Sequence, residues 1–99
     1  MITFVRTAQA LPGKIGDAVA WGKEIAATVK RITGKDVAVC AGVGGPISEI
    51  AWIAHYDSMG QAEEVFGKLM ADREYMTLVS KAQPLFIPGS GHDRFWKHL

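Results

Sequence analysis

Two ionisable residues lie in runs of sequence that are otherwise apolar and strand-like, and their types suggest a binding site. Arg6 lies in the run ITFVRTAQ, and His55 lies in the run EIAWIAHYD. A guanidinium presents a fork of donors that orients an acid or carbonyl group, and an imidazole can give or accept a proton near neutral pH. If both residues line one face of a sheet, they surround an apolar pocket together with Phe4 and Ile53. This arrangement predicts a site for a small anionic or carbonyl-bearing ligand, with His55 as the candidate catalytic residue.

Each of these residues also has an ordinary structural interpretation, which the sequence leaves open. Arg6 could form an ion pair with Glu49 or Asp57 at the rim of the sheet. His55 could be a hydrogen-bonded structural histidine. Trp52 is included in the candidate site as an aromatic wall, although a tryptophan in a strand is more often a core residue.

Other kinds of chemistry find little support in the sequence. Cys40, the single cysteine, lies in an apolar strand with no neighbouring base, so we expect a buried and inert thiol. His92 and His98 are six residues apart, which in a strand separates them by ~20 Å. The run GVGGP lacks the Lys-Ser/Thr pair of a phosphate loop and leads into a strand. We therefore predict no metal site and no cofactor.

Composition narrows the classes of partner and the compartment. The 99 residues are 48% hydrophobic and 21% charged, with a net charge of +1, which fits one domain spanning residues 1–99. A nucleic-acid-binding surface would need a clear basic excess, and a membrane helix would need ~18 consecutive apolar residues. The first residues also lack the pattern of a secretory signal. With one cysteine and no disulfide framework, the protein is expected to be cytoplasmic, with neither nucleic acid nor membrane as a partner.

The hydrophobic periodicity predicts an α+β protein. A strand at residues 2–9 precedes a helix that begins after Pro12-Gly13 and ends at Gly34. The remaining predicted elements are a strand at 36–43, a strand at 48–57, a helix capped by Ser58 with Gln61, a short helix capped by Asp72, and a strand at 92–99. The order β-α-β-β-α-β is the ferredoxin-like pattern, an antiparallel four-stranded sheet with the helices on one face.

The third strand has one uncharged row of side chains, which should face the helices. Its members are Ile50, Trp52, Ala54 and Tyr56, so His55 is expected on the opposite face. That opposite face should be polar if it met water, yet strands two and three are apolar on both rows. Phe95 and Trp96 are adjacent, so they must point to opposite faces. We therefore predict a homodimer in which two sheets pack face to face, with the ligand cavity between sheet and partner.

Several short motifs resemble those of NIPSNAP-like proteins. They are Arg6 followed after five residues by Pro12-Gly13-Lys14, the helix WGKEIA, the strand IAWIAHYDS and the run ADREYMTLVSKAQPLFIPGS. The resemblance implies the dimeric α/β-barrel superfamily, which also contains the antibiotic-biosynthesis-type and the haem-degrading monooxygenases. It implies the fold and the dimer but no agreed reaction. The haem-degrading branch uses an Asn, a Trp and a His, and Arg6 stands at the Asn position, which argues against haem degradation.

Two classes of function follow from the residues and the resemblance together. The first is a dimer that binds a small molecule, with a cofactor-independent monooxygenase as its catalytic form. The second is a structural or interaction module whose cavity is packed shut. An open cavity that exposes both Arg6 and His55 would favour the first class.

Overall fold

The computed structural model describes residues 1–99 and contains four strands and three helices. The elements are β1 (Ile2–Gln9), α1 (Ile15–Thr33), β2 (Ala38–Ala41), β3 (Glu49–Tyr56), α2 (Met59–Met70), α3 (Arg73–Ser80) and β4 (His92–Lys97). The strands form one sheet in the order β2-β3-β1-β4, and every neighbouring pair is antiparallel. This topology confirms the predicted ferredoxin-like fold.

The ends of the helices form where the sequence predicts them. Gly34 ends α1 in the left-handed conformation, at a φ of 77° that suits a residue without a Cβ. The Ser58 hydroxyl accepts a hydrogen bond of 3.1 Å from the Gln61 amide at the start of α2. The Asp72 carboxylate accepts one of 2.9 Å from the Tyr75 amide at the start of α3. These caps fix where each helix starts or stops relative to the sheet.

The second strand differs from its prediction in length and in burial. It spans four residues instead of 36–43, because the chain leaves the sheet for a turn at Gly44 and Gly45, whose φ angles are 112° and 70°. Cys40 is exposed, so the expectation of a buried thiol is wrong for the single chain. The reason is that β2 is an edge strand and Cys40 pairs with Ala51, on the face that no helix covers.

Residues paired directly across antiparallel strands point to the same side of a sheet, so the register assigns the two faces. The helix face carries α1 and α2, as shown by the hydrogen bond between Trp52 and Gly22 and by the Phe4–Phe66 ring contact. Its members include Ile2, Phe4, Arg6, Ala8, Ile50, Trp52, Ala54, Tyr56, Asp93 and Phe95. The four β3 residues of this row are all buried, as predicted.

No helix packs on the other side of the sheet, which we call the outer face. Its members include Thr3, Val5, Thr7, Ala38, Cys40, Ala51, Ile53, His55, Arg94 and Trp96. Trp96 is 56% exposed there, whereas its neighbour Phe95 points to the helix face and lies 4.9 Å from the Phe4 ring. The prediction that these two residues point to opposite faces is therefore confirmed.

None of the three helices is both long enough and apolar enough to span a membrane.

Candidate functional site

Arg6 and His55 lie on opposite faces of the sheet, so the predicted pocket shared by the two residues is wrong. Arg6 pairs with Trp52 across β1 and β3 and lies on the helix face, whereas His55 pairs with Thr3 and lies on the outer face. Ile53 pairs with Val5 and is also on the outer face. A shift of one residue in register reverses every side chain of a strand, and the sequence did not fix that register.

The structure does contain a partly open cavity, between the helix face of the sheet and the three helices. Its volume is about 270 Å³, and 16 of its 19 lining residues are hydrophobic. Its aromatic wall consists of Phe4, Trp21, Trp52, Phe66 and Phe86. Of the predicted site residues, the cavity brings together Phe4, Arg6 and Trp52, and it excludes Ile53 and His55.

Two tryptophans of this wall are held in place through their indole nitrogens. Trp52 Nε1 donates to the Gly22 carbonyl at 3.2 Å, and Trp21 Nε1 donates to the Leu78 carbonyl at 2.8 Å. Gly22 also makes room for the ring, because a Cβ at that position would lie 3.1 Å from Trp52 Cζ2. The two rings meet edge to face with centroids 5.9 Å apart, a favourable geometry for aromatic pairs. The wall is therefore a fixed surface against which a flat ligand can pack.

Arg6 supplies the charged end of the cavity and pairs with a residue that was not predicted. Its Nε and Nη2 donate to the two carboxylate oxygens of Asp93 at 2.7 and 2.9 Å. This pair replaces the predicted alternatives Glu49 and Asp57, because Asp93 stands directly opposite Arg6 in the β1–β4 register. The hydrogen bond to Asp93 raises the pKa of Arg6 above its ordinary value. The guanidinium also lies 5.5 Å from the centroid of the Phe4 ring, within cation–π range.

Two tyrosines, Tyr56 and Tyr75, line the same cavity and complete its polar end. They are only 3% and 8% exposed, and the Tyr75 side chain interacts with Arg6, where after Asp93 it contributes to raising the pKa of Arg6. Since no fully enclosed side-chain polar atom lacks a partner, the Tyr56 hydroxyl, which makes no hydrogen bond within the chain, is not fully enclosed. Burial raises the pKa of Tyr56, so its phenol stays protonated and can donate at neutral pH.

The segment between α3 and β4, residues 81–91, closes one end of the cavity. Its Leu85 carbonyl accepts a hydrogen bond of 2.9 Å from the Leu11 amide, and its Ile87 amide donates to the Gln9 carbonyl at 2.8 Å. These bonds tie the segment to the end of β1, while Phe86 and Ser90 line the cavity. The sequence predicted a loop only at residues 88–91 and gave residues 85–87 no role. The apolar run LFI between Pro84 and Pro88 was the available signal that it packs inward.

The surroundings of His55 on the outer face are those of a hydrogen-bonded structural histidine. His55 is exposed, and its Nδ1 lies 3.0 Å from the Thr3 hydroxyl, which is also within hydrogen-bonding distance of His98 Nε2. No cluster of three or more metal-ligating side chains occurs anywhere in residues 1–99. The polar side chains that line the cavity are Arg6, Tyr56, Tyr75 and Ser90, and the Ser90 hydroxyl already donates to the Ile87 carbonyl at 2.7 Å.

Solved structures with the same fold include proteins of several bacteria. A NIPSNAP family protein of unknown function from Agrobacterium tumefaciens has a TM-score of 0.80 and 24% identity, covering 99% of this chain and 87% of that chain. A NIPSNAP domain protein from Burkholderia xenovorans has a TM-score of 0.85 and 13% identity, covering 100% and 95%. A protein from Nitrosomonas europaea, provisionally described as an antibiotic biosynthesis monooxygenase, has a TM-score of 0.75 and 11% identity, covering 100% and 99%. These likenesses establish the shared fold.

None of the curated proteins compared with the chain matches it significantly. The sequence model of the NIPSNAP family matches residues 5–95. That match covers nearly the whole chain, from the middle of β1 to β4, and it includes Arg6 and the Pro12-Gly13-Lys14 motif. The chain therefore belongs to the NIPSNAP family.

Proposed function

We propose that this protein binds a flat, mostly apolar small molecule in the cavity on the helix face of the sheet. The observation that carries the proposal is an otherwise apolar cavity lined by the donors of Arg6, Tyr56 and Tyr75. A guanidinium and a phenol both carry N–H or O–H donors, so a polar atom of a ligand is a suitable partner for them. Ligand sites generally combine apolar walls with a few convergent polar groups.

The volume and the wall chemistry limit the class of ligand. The cavity of about 270 Å³ lies at the lower end of the ~300–1,000 Å³ range of small-molecule pockets, which suits a bicyclic molecule. The fixed aromatic wall favours a planar ring system, because aromatic pairs gain from offset or edge-to-face contacts. Arg6, Tyr56 and Tyr75 all present donors, so the ligand should carry an oxygen acceptor, either a carbonyl or an acid group.

An open cavity of this kind does not fit a purely structural module packed shut. A cofactor-independent oxygenase is the catalytic alternative, since the same three donors could stabilise negative charge on a substrate oxygen. Oxygen consumption by the purified protein in the presence of an electron-rich phenol would support that alternative, whereas binding without oxygen uptake would favour the binding function alone.

The cavity proposal predicts that narrowing the cavity weakens binding. 2-Acetylnaphthalene, a planar ketone, should bind the protein with a dissociation constant of about 1 mM or tighter, the weakest value that ordinary ligand efficiency gives for a molecule of this size. Replacing Ala82, a half-buried lining residue, by phenylalanine should weaken that binding in a ligand-observed NMR titration. Ala71→Phe adds the same ring at an exposed position outside the cavity and should leave binding unchanged. Equal affinity in both variants would contradict a site in this cavity.

We further propose that the protein is a homodimer through the outer face of the sheet. Val5 and Ile53 are half-buried there and Ala38 and Trp96 are exposed, although no helix covers that face. An uncovered sheet face is expected to be polar, and a second copy can cover it by the same self-complementary contact.

The dimer predicts a measurable mass and a variant that changes it. Light scattering at micromolar concentration should give twice the chain mass of 10.7 kDa. Ile53→Asp, which would bury an unpaired carboxylate between the sheets, should shift the mass to that of one chain. Thr77→Asp places the same charge on the exposed surface of α3 and should leave the mass unchanged. A single-chain mass for the unmodified protein would end the proposal.

We also propose a cytoplasmic location, which the free and exposed thiol of Cys40 supports because such thiols persist in reducing compartments. Cell fractionation that recovers the protein with secreted or periplasmic proteins would contradict this location.

A further inference from the structure

Asp93 changes what the charged end of the cavity can recognise. It stands opposite Arg6 in the β1–β4 register, on the helix face, so the backbone of two adjacent strands holds the pair together. Both carboxylate oxygens are engaged, at 2.7 Å by Nε and at 2.9 Å by Nη2. This bidentate arrangement is the strong geometry for an arginine and a carboxylate. The pair as a whole carries no net charge.

The guanidinium still has donors for a ligand after it has paired with Asp93. A guanidinium carries five N–H groups, and the pair with Asp93 uses one on Nε and one on Nη2. The remaining N–H groups belong to a side chain that lines the cavity. A ligand oxygen therefore meets hydrogen-bond donors whose positive charge is already balanced.

No other charged side chain lines the cavity to compensate an anion. Arg6 is the only charged residue among the lining residues, and the remaining polar end consists of the phenols Tyr56 and Tyr75. A ligand carboxylate bound to Arg6 would thus lie close to the Asp93 carboxylate, where the two side chains of the pair are 45% and 42% exposed. Like charges that share a site disfavour each other. A carbonyl oxygen accepts the same hydrogen bonds without that repulsion.

We propose that Asp93 is a specificity-determining residue that makes the cavity select uncharged oxygen acceptors, such as aryl ketones, and reject carboxylates of the same shape. This inference rests on the proposed binding function and decides between the two ligand classes that the function leaves open. Asp93 acts through Arg6, whose charge it balances and whose orientation it holds.

The test compares two probes of nearly identical shape, 2-acetylnaphthalene and 2-naphthoate. The carbonyl carbon of the first carries a methyl group where that of the second carries a negatively charged oxygen. The unmodified protein should bind the ketone at least tenfold more tightly than the carboxylate in ligand-observed NMR titrations. Asp93→Asn keeps an oxygen that can accept from Arg6 and removes the charge, so it should shift the affinity ratio toward 2-naphthoate by about tenfold or more. Asp93→Ser, which also removes the carboxylate, should shift the ratio in the same direction.

Asp36→Asn is the matched control, because Asp36 also pairs with a cation, Lys30, and is highly exposed away from the cavity. It removes the same unit of charge and should leave the ratio unchanged. An equal shift in the Asp93 and Asp36 variants, or no shift in either Asp93 variant, would overturn the selectivity. If Ala82→Phe still weakens ketone binding in that case, the proposed cavity function survives. If neither probe binds the unmodified protein or the Asp93 variants, both the function and the selectivity are wrong.

Discussion

Replacing Trp52 by alanine is expected to lower the free energy of unfolding by about 3–5 kcal/mol, the usual cost of removing a large aromatic ring from a core. Trp52 is 6% exposed, and its ring lies against those of Trp21 and Phe86, with centroids 5.9 and 6.0 Å away. It also donates to the Gly22 carbonyl, which joins β3 to α1. Its loss would enlarge an existing cavity, which leaves neighbouring atoms without contacts. Urea denaturation at a fixed protein concentration measures the change.

Trp52→Phe separates the ring from its hydrogen bond. It keeps an aromatic side chain but loses the N–H donor, so its destabilisation should be smaller than that of Trp52→Ala. A loss of less than ~0.5 kcal/mol for Trp52→Ala would place the residue in the range of surface substitutions and would contradict the assigned core.

Replacing Ile25 by alanine should cost about 2–5 kcal/mol of stability, as for other buried aliphatic residues. Ile25 is 7% exposed and lies at the centre of the apolar stripe of α1, where it also lines the cavity. Ile15, at the start of the same helix, is 39% exposed. Ile15→Ala makes the same chemical change at a more exposed position, so it should cost less. Thermal unfolding of the two variants side by side gives the comparison.

The Ile25 prediction requires that α1 packs on the sheet through the apolar stripe that contains Ile25. Equal losses at Ile25 and Ile15 would show that the helix is rotated or that its stripe is not the buried one.

The element order was predictable because local chemistry determines it. The stripe of α1, the αL glycine at Gly34 and the side-chain caps at Ser58 and Asp72 each depend on residues within a few positions of one another. The buried row of β3 was also predictable, since the other row contains all of the ionisable residues of the strand, Glu49 and His55. The boundaries of β2 were not, because the length of an edge strand depends on where its neighbour stops pairing.

The face of β1 could not be assigned in the same way, and the error in the candidate site follows from that. The row of β1 that contains Arg6 also contains Ile2, Phe4 and Ala8, whereas the other row, which includes Thr3 and Thr7, has no charge at all. The rule that the uncharged row of a strand faces the helices therefore assigns the wrong face to Arg6 in β1. Arg6 is tolerated on the helix face because Asp93 pairs with it, and that contact spans 87 residues of sequence.

The remaining site residues were missed for a related reason. Tyr56 was predicted only as a member of the uncharged row of β3, and Tyr75 was given no role, because their hydroxyls matter only where both residues line one cavity. Asp93 has no local signal, since its role depends on the register of β4 against β1. Side chains brought together by non-local pairing are the part of the site that one sequence does not reveal.

The side chains of β1 alternate between the cavity and the outer face, so substitutions in this one strand have two separate kinds of effect. Positions 4, 6 and 8 line the cavity, and positions 3, 5 and 7 lie on the outer face. Neighbouring residues of β1 line opposite faces of the sheet. Substitutions at even positions can therefore change ligand preference without altering the outer face, and substitutions at odd positions can change the outer face without altering the cavity. Substitutions in β1 of related proteins should therefore covary by parity, with even positions following cavity residues such as Tyr75 and odd positions following outer-face residues such as Ile53.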